Sequence, residues 1–103
     1  MTITHIITIL KSNGTREVHE YTSKPQLKEL QRIVGGLIQL VPHWSKFDGR
    51  RADVWCNEEG RLNGLPFNEQ ATNMWLQVLG DGPFSYPPQL FGDIAVAQTA
   101  PKK

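Results

Sequence analysis

Hydrophobic and polar residues alternate in several short stretches of the chain. In two other stretches, apolar residues recur at helical spacing. Residues 3–10 are rich in β-branched side chains, and residues 16–21 alternate after Ser12-Asn13-Gly14-Thr15. An Asn-Gly pair is a strong signal for a tight turn between strands, because both residues tolerate positive φ. The pattern predicts a β-hairpin at the start of the chain.

Two stretches have apolar residues at helical spacing. The first follows Ser23, a candidate N-cap with Gln26 at the reciprocal capping position, and ends at Gly35-Gly36. The second follows Asn68 as N-cap and ends at Gly80. The apolar faces predicted for the two helices are Leu27, Leu30, Ile33 and Val34, then Ala71, Met74, Trp75, Val78 and Leu79.

Three further apolar stretches predict strands, at residues 37–41, 52–57 and 92–97. A polar loop over residues 43–51, with Asp48-Gly49 as a turn, separates the first two of them. This order predicts an α+β fold, a small mainly antiparallel sheet with two helices packed on one face. Residues 1–97 are predicted to form a single domain, and residues 98–103 a flexible C-terminal tail.

Composition narrows the class of protein. A chain of 103 residues is one domain, and its net charge of +1 gives no reason to expect nucleic acid or a membrane surface as partner. Cys56 is the only cysteine, which excludes an intrachain disulfide and favours a reducing compartment. No run is apolar enough to span a membrane, and the N-terminus does not resemble a secretion signal. We therefore expect a cytoplasmic protein.

Basic and aromatic residues meet in the polar loop. Arg50 and Arg51 follow Gly49, and Trp44 lies shortly before them. Guanidinium groups suit phosphate oxygens, and an indole face suits a nucleobase. The alternative is a solvated loop whose Trp44 packs back onto the core.

A proline-rich segment, residues 81–91, contains Phe84, Tyr86 and Phe91. So many aromatic side chains in one loop predict a contact role, which is packing on the domain, covering a pocket, or forming a subunit interface. The predicted ligand-binding residues are Trp44, Arg50, Arg51, Phe84 and Tyr86.

Signals for catalysis and for metal binding are weak. His5, His19 and His43 lack metal-ligand spacing, and Cys56 has no partner thiol. Glu58 and Glu59 are adjacent in a turn and point apart, so they do not form an acid–base pair. The glycine pair at residues 35–36 follows a helix, which favours a structural stop over a phosphate loop. We predict no catalytic residue, no metal and no cofactor.

Several short motifs are spread over about two thirds of the chain. They are Val34-Gly35-Gly36, Val41-Pro42, Asn57-Glu58-Glu59-Gly60, Leu62, Gly64-Leu65-Pro66, Asn68, Ala71-Thr72 and Gly92-Asp93. Together they resemble an uncharacterised family of phages and plasmids, domain of unknown function thirty-eight forty-six. The resemblance implies a setting in mobile elements, where small proteins commonly antagonise host defence, and brings no catalytic residues.

The leading functional hypothesis is a phage-encoded anti-defence protein of the host cytoplasm. It would sequester a small nucleotide-derived immune signal, of the cyclic ADP-ribose type or a cyclic dinucleotide, without cleaving it, as a homo-oligomer. The alternative is a protein-binding inhibitor module that contacts a host defence enzyme through the proline-rich segment. A third hypothesis, a hydrolase without recognisable motifs, differs from the first in altering the ligand.

Overall fold

The first two strands form the predicted hairpin. The computed structural model describes residues 3–80 and 88–101. In it, β1 (Ile3–Leu10) pairs antiparallel with β2 (Arg16–Tyr21). In the turn, the Asn13 side chain accepts a hydrogen bond from the Thr15 N–H at 3.0 Å.

Both predicted helices are present, and one N-cap differs from its prediction. Helix α1 (Leu27–Val34) ends at Gly35, whose φ of 81° is left-handed as expected for a glycine cap. Its N-cap is Gln26, which makes no side-chain capping hydrogen bond, so Ser23 does not cap this helix. Helix α2 (Glu69–Leu79) is capped by Asn68 as predicted. Among the described residues, no helix is long and apolar enough to cross a membrane.

The remaining strands complete the predicted α+β fold. They are β3 (Ile38–Leu40), β4 (Lys46–Phe47), β5 (Arg50–Arg51), β6 (Asp53–Asn57) and β7 (Ile94–Pro101). Within the described ranges, the main sheet has five strands in the order β2-β1-β7-β6-β3, and every pair is antiparallel. The strand nearest the C-terminus thus lies in the middle of the sheet.

The helices lie on opposite faces of the sheet, so the prediction that both pack on one face is wrong. Helix α1 contributes Ile33 and Val34 to a cluster with Ala95, whereas α2 contributes Ala71 to a cluster with Ile94 and Val96. Successive side chains of a strand point to opposite faces. Because apolar residues occupy both faces of β7, the sheet is buried on both sides and needs a helix on each.

The C-terminal boundary also differs from its prediction. Residues 98–101 belong to β7 and pair with β1, from Ile6 opposite Gln98 to Ile3 opposite Pro101. The flexible tail predicted from residue 98 is therefore wrong for these four positions, because backbone pairing with β1 orders residues that lack an apolar pattern. Residues 102 and 103 lie outside the described part of the chain.

The segment predicted as a polar loop contains a second, small hairpin. Strands β4 and β5 pair through Lys46 with Arg51 and Phe47 with Arg50. Asp48 and Gly49 join them with φ of 51° and 80°, the two positive values that a type I′ hairpin turn requires. The arginines predicted to bind phosphate are thus on a strand and not on a free loop.

Candidate functional site

A pocket opens where β6 begins beside the longer β7. Asp53 is opposite Ala97, and β7 continues for four more residues beyond that pair. The resulting notch has a volume of about 180 Å³. We call it the edge pocket, and its polar lining consists of His5, Lys24, Arg51, Asp53, Gln98 and Thr99.

The small hairpin is fixed to the main sheet next to this pocket. The Gln98 side-chain Nε2 donates hydrogen bonds to the carbonyl oxygens of Phe47, at 2.7 Å, and Arg50, at 3.3 Å. The Phe47 ring is buried in the core on the α2 side. The backbone that carries Arg51 is therefore held to β7 from one side and to the core from the other.

The edge pocket carries more positive than negative charge. Lys24 and Arg51 contribute two cations and Asp53 one carboxylate, and all three side chains are exposed. The ion pairs found in residues 3–80 and 88–101 join Lys11 to Glu17, His19 to Glu17 and Arg32 to Glu29. Within that part of the chain, Lys24 and Arg51 therefore have no ion-pair partner, and their charges are available to an anionic ligand.

The two predicted arginines are not equivalent. Arg51 lines the edge pocket, whereas Arg50, also exposed, does not. No local signal in the sequence identified Lys24, Asp53 or Thr99, because only the strand register and the segment before α1 bring them to Arg51.

Trp44 is a core residue, so the prediction that it offers a stacking face is wrong. Its side chain is 3% exposed, and its indole N–H donates to the Lys46 carbonyl oxygen at 3.0 Å. The alternative considered from the sequence, in which Trp44 packs onto the core, is the one observed. Phe84 and Tyr86, the other predicted aromatic contacts, lie outside the described residues.

A second, more apolar pocket lies between β3 and α2. It has a volume of about 330 Å³, and we call it the β3 pocket. Its charged rim has one cation, Arg61, and one carboxylate, Glu58, so charge gives it no preference for an anion. Its apolar walls include Leu40, Val41, Pro42, Trp75 and Leu90.

Among the residues that the structure describes, the buried polar groups form no reactive centre. Burial raises the pKa of the Cys56 thiol, which keeps it protonated and weakly nucleophilic at neutral pH. In the described ranges, no cluster of three His, Cys, Asp or Glu residues is arranged to hold a metal ion. Every buried side-chain nitrogen and oxygen there has a hydrogen-bond partner. These groups are therefore used by the fold itself.

Comparison with known protein families gives a match over almost the whole chain. The family model described as "Domain of unknown function (DUF3846)" covers residues 4–103. The chain belongs to this family. No curated protein and no solved structure matches it significantly. In this DUF3846 chain, the residues that carry the resemblance can now be assigned physical roles.

Asn57 connects the turn after β6 to the end of α1. Its Nδ2 donates to the Val34 carbonyl oxygen at 3.1 Å, and its Oδ1 accepts from the Glu59 N–H at 2.8 Å. A Cβ on Gly36 would lie 2.8 Å from that Nδ2 atom. The glycine pair and the Asn-Glu-Glu-Gly turn of this DUF3846 chain therefore form one structural contact.

Asn68 connects the start of α2 to two other segments. Its Nδ2 donates to the carbonyl oxygens of Leu10, at 2.7 Å, and Gly92, at 2.8 Å, and its Oδ1 accepts from the Ala71 N–H. The residue is 0% exposed. Thr72 adds a further link, since its hydroxyl accepts from the Leu90 N–H at 2.9 Å. These DUF3846 residues hold the fold together and lie outside the edge pocket.

Proposed function

We propose that this protein binds a small nucleotide-derived phosphorylated molecule in the edge pocket and retains it intact. The observation that carries the proposal is the pair of cations, Lys24 and Arg51, exposed at one pocket without ion-pair partners in the described residues. Arginine binds phosphate oxygens through two parallel hydrogen bonds, and lysine adds a point charge. The β3 pocket is larger but has no excess of positive charge.

The proposal includes a biological role, an anti-defence protein encoded by a phage. Such a protein would sequester an immune signal of the cyclic ADP-ribose or cyclic dinucleotide type in the host cytoplasm. The support for this role is the resemblance to a phage and plasmid family together with the phosphate-binding chemistry of the pocket. The support for retention without cleavage is the sequence, in which no acid–base or nucleophilic pair was recognised.

The neighbouring arginines provide a matched test of the proposed site. Arg51→Ala is expected to weaken binding about ten- to hundredfold, because a charged hydrogen bond to phosphate contributes roughly 1.5–3 kcal/mol. Arg51→Lys should restore part of the affinity, since it keeps the charge and loses the bidentate geometry. Isothermal titration against a panel of cyclic dinucleotides and cyclic ADP-ribose measures both effects.

Arg50→Ala is the control, because it removes the same group one residue away from the pocket. It should change affinity less than about threefold, because its exposed charge lies outside the pocket and is screened by solvent. Equal losses in the two alanine variants would contradict the edge pocket as the site. Recovery of the ligand after heat denaturation of the complex distinguishes retention from hydrolysis, which would return an altered molecule.

We also propose a homo-oligomer. The edge pocket, at about 180 Å³, is smaller than the usual pocket for a whole small ligand, roughly 300–1,000 Å³. A nucleotide-sized molecule would extend beyond it, and a second copy of the chain could cover the remainder. Light scattering is expected to give at least a dimer mass at micromolar concentration. A monomer mass with ligand bound would remove this part of the proposal.

The alternative function, a module that blocks a host enzyme by direct contact, is favoured by a different observation. Leu40, which is 48% exposed, belongs to the outer strand β3 and lines the β3 pocket, and Leu37, which is 59% exposed, directly precedes that strand. Exposed apolar residues along a sheet edge are suited to an extended segment of a partner protein. Loss of inhibition in Leu40→Lys, with the Arg51→Ala variant fully active, would favour this alternative.

A further inference from the structure

A carboxylate lies in the pocket that we propose for phosphate. Asp53, the first residue of β6, is exposed and lines the edge pocket with Lys24 and Arg51. A negative charge beside a phosphate is unfavourable by itself. Among residues 3–80 and 88–101, Asp53 makes no ion pair that would explain the carboxylate as a structural group.

The backbone defines the spacing of the two opposite charges. Arg51 and Asp53 flank Ala52, which is 3% exposed and belongs to the core on the α2 side. Because successive side chains of an extended chain alternate, Arg51 and Asp53 both point away from that core, with about 6–7 Å between their positions. Both side chains line the edge pocket. A cationic group and an acceptor-only group are therefore presented side by side to one ligand.

We infer that Asp53 accepts hydrogen bonds from the ribose hydroxyls of the ligand and makes the pocket selective for ribonucleotides. This inference rests on the proposed function. An ionised carboxylate offers two acceptor oxygens, which suit the one or two free hydroxyl donors of a ribose. In a nucleotide, the phosphate and these hydroxyls are attached to the same sugar. They are therefore close enough together to contact Arg51 and Asp53 at the same time. Acidic residues bind ribose hydroxyls in the same way in dinucleotide-binding folds.

The selectivity can be measured with three defined probes, adenosine monophosphate, deoxyadenosine monophosphate and inorganic pyrophosphate. The native protein is expected to bind adenosine monophosphate about tenfold more tightly than its deoxy form, the effect of one lost charged hydrogen bond. Asp53→Asn should bring that ratio close to one. The same variant should bind pyrophosphate about two- to tenfold more tightly, because a like charge has been removed.

Asp48→Asn is the matched control, since it makes the same chemical change at an exposed turn residue outside the pocket. It should leave the preference for the ribose form unchanged. A loss of folding cannot imitate the expected result, because an unfolded variant would not bind pyrophosphate more tightly than the native protein.

The outcomes separate this inference from the proposed function. If both adenosine nucleotides bind equally, and Arg51→Ala still weakens both, the inference about Asp53 is overturned and the phosphate site stands. If Asp53→Asn keeps the native preference for the ribose form, the inference is likewise overturned. If none of the three probes nor any member of the nucleotide panel binds, both the inference and the proposed function fail.

Discussion

Asn68→Ala is expected to destabilise the fold by about 3–4 kcal/mol, a large part of the roughly 5–15 kcal/mol that stabilises a domain of this size. The substitution removes two hydrogen bonds donated to buried carbonyl oxygens, those of Leu10 and Gly92, and the N-cap of α2. The midpoint of thermal unfolding should fall on the order of 15–20 °C. Calorimetry or thermal circular dichroism measures this change.

Asn68→Asp tests which of these hydrogen bonds matters most. The carboxylate keeps the acceptor for the Ala71 N–H but cannot donate to the two carbonyl oxygens. We expect it to be at least as destabilising as alanine at neutral pH, whereas a residue that acts only as an N-cap would tolerate aspartate well. Asn73→Ala, an exposed position on the same helix, is the control and should not lower stability. Native-like stability of Asn68→Asp would show that the donated bonds contribute little.

Asn57→Ala is expected to cost about 2–3 kcal/mol, because the Val34 carbonyl oxygen and the Glu59 N–H both lose their side-chain partner. Gly36→Ala should cost about 1–3 kcal/mol for a different reason, since its new methyl group would displace the Asn57 amide. The two effects share one contact. The double variant should therefore be more stable than the sum of the single losses predicts, by about 1 kcal/mol.

Chemical denaturation of the two single variants and the double variant gives this coupling directly. Additive losses would mean that Gly36 and Asn57 act independently, and that the glycine is required for a reason other than space for the amide. A coupling of the expected sign would show that the glycine pair after α1 is required because it leaves space for the Asn57 side chain on β6.

Much of the fold was predictable from local patterns. The Asn-Gly turn gave the first hairpin, and Asn68 and the glycines at positions 35 and 80 defined three helix ends correctly. The arrangement of the helices was predicted wrongly, although β6 carries a signal, since Val54, Trp55 and Cys56 are apolar on both faces. Continuous apolar residues of this kind are typical of a strand covered on two sides.

Other features had no usable local signal. Residues 98–101 have no alternating pattern, and their order comes from pairing with β1, which is distant in sequence. The strands around Asp48-Gly49 are only two residues long, so the turn was recognised and the hairpin was not. For the same reason, only part of the candidate site was predicted from the sequence. Arg51 was chosen for its chemistry, whereas Lys24 and Asp53 reach the pocket through tertiary structure.

The residues that carry the family resemblance have mainly structural roles. Asn57, Asn68 and Thr72 use their polar atoms in hydrogen bonds within the fold, at positions where an apolar side chain would leave backbone groups unpaired. A short motif recognised in such a family therefore indicates the fold before it indicates chemistry. The edge pocket is lined by a different set of residues, so its lining can change without altering these structural contacts.

The central position of β7 has a consequence for synthesis on the ribosome. Strand β1 is translated before the other strands of this sheet, and its neighbour in the sheet, residues 94–101, is translated after them. Until then, β1 with β2 and β6 with β3 can form only separate pairs. Core residues such as Ile7 and Val54 lack the neighbouring strand, β7, that lies between these pairs in the sheet. Contacts between segments so distant in sequence form slowly. We therefore expect the nascent chain to stay aggregation-prone until β7 has been translated, and chaperones that hold nascent chains to raise its soluble yield.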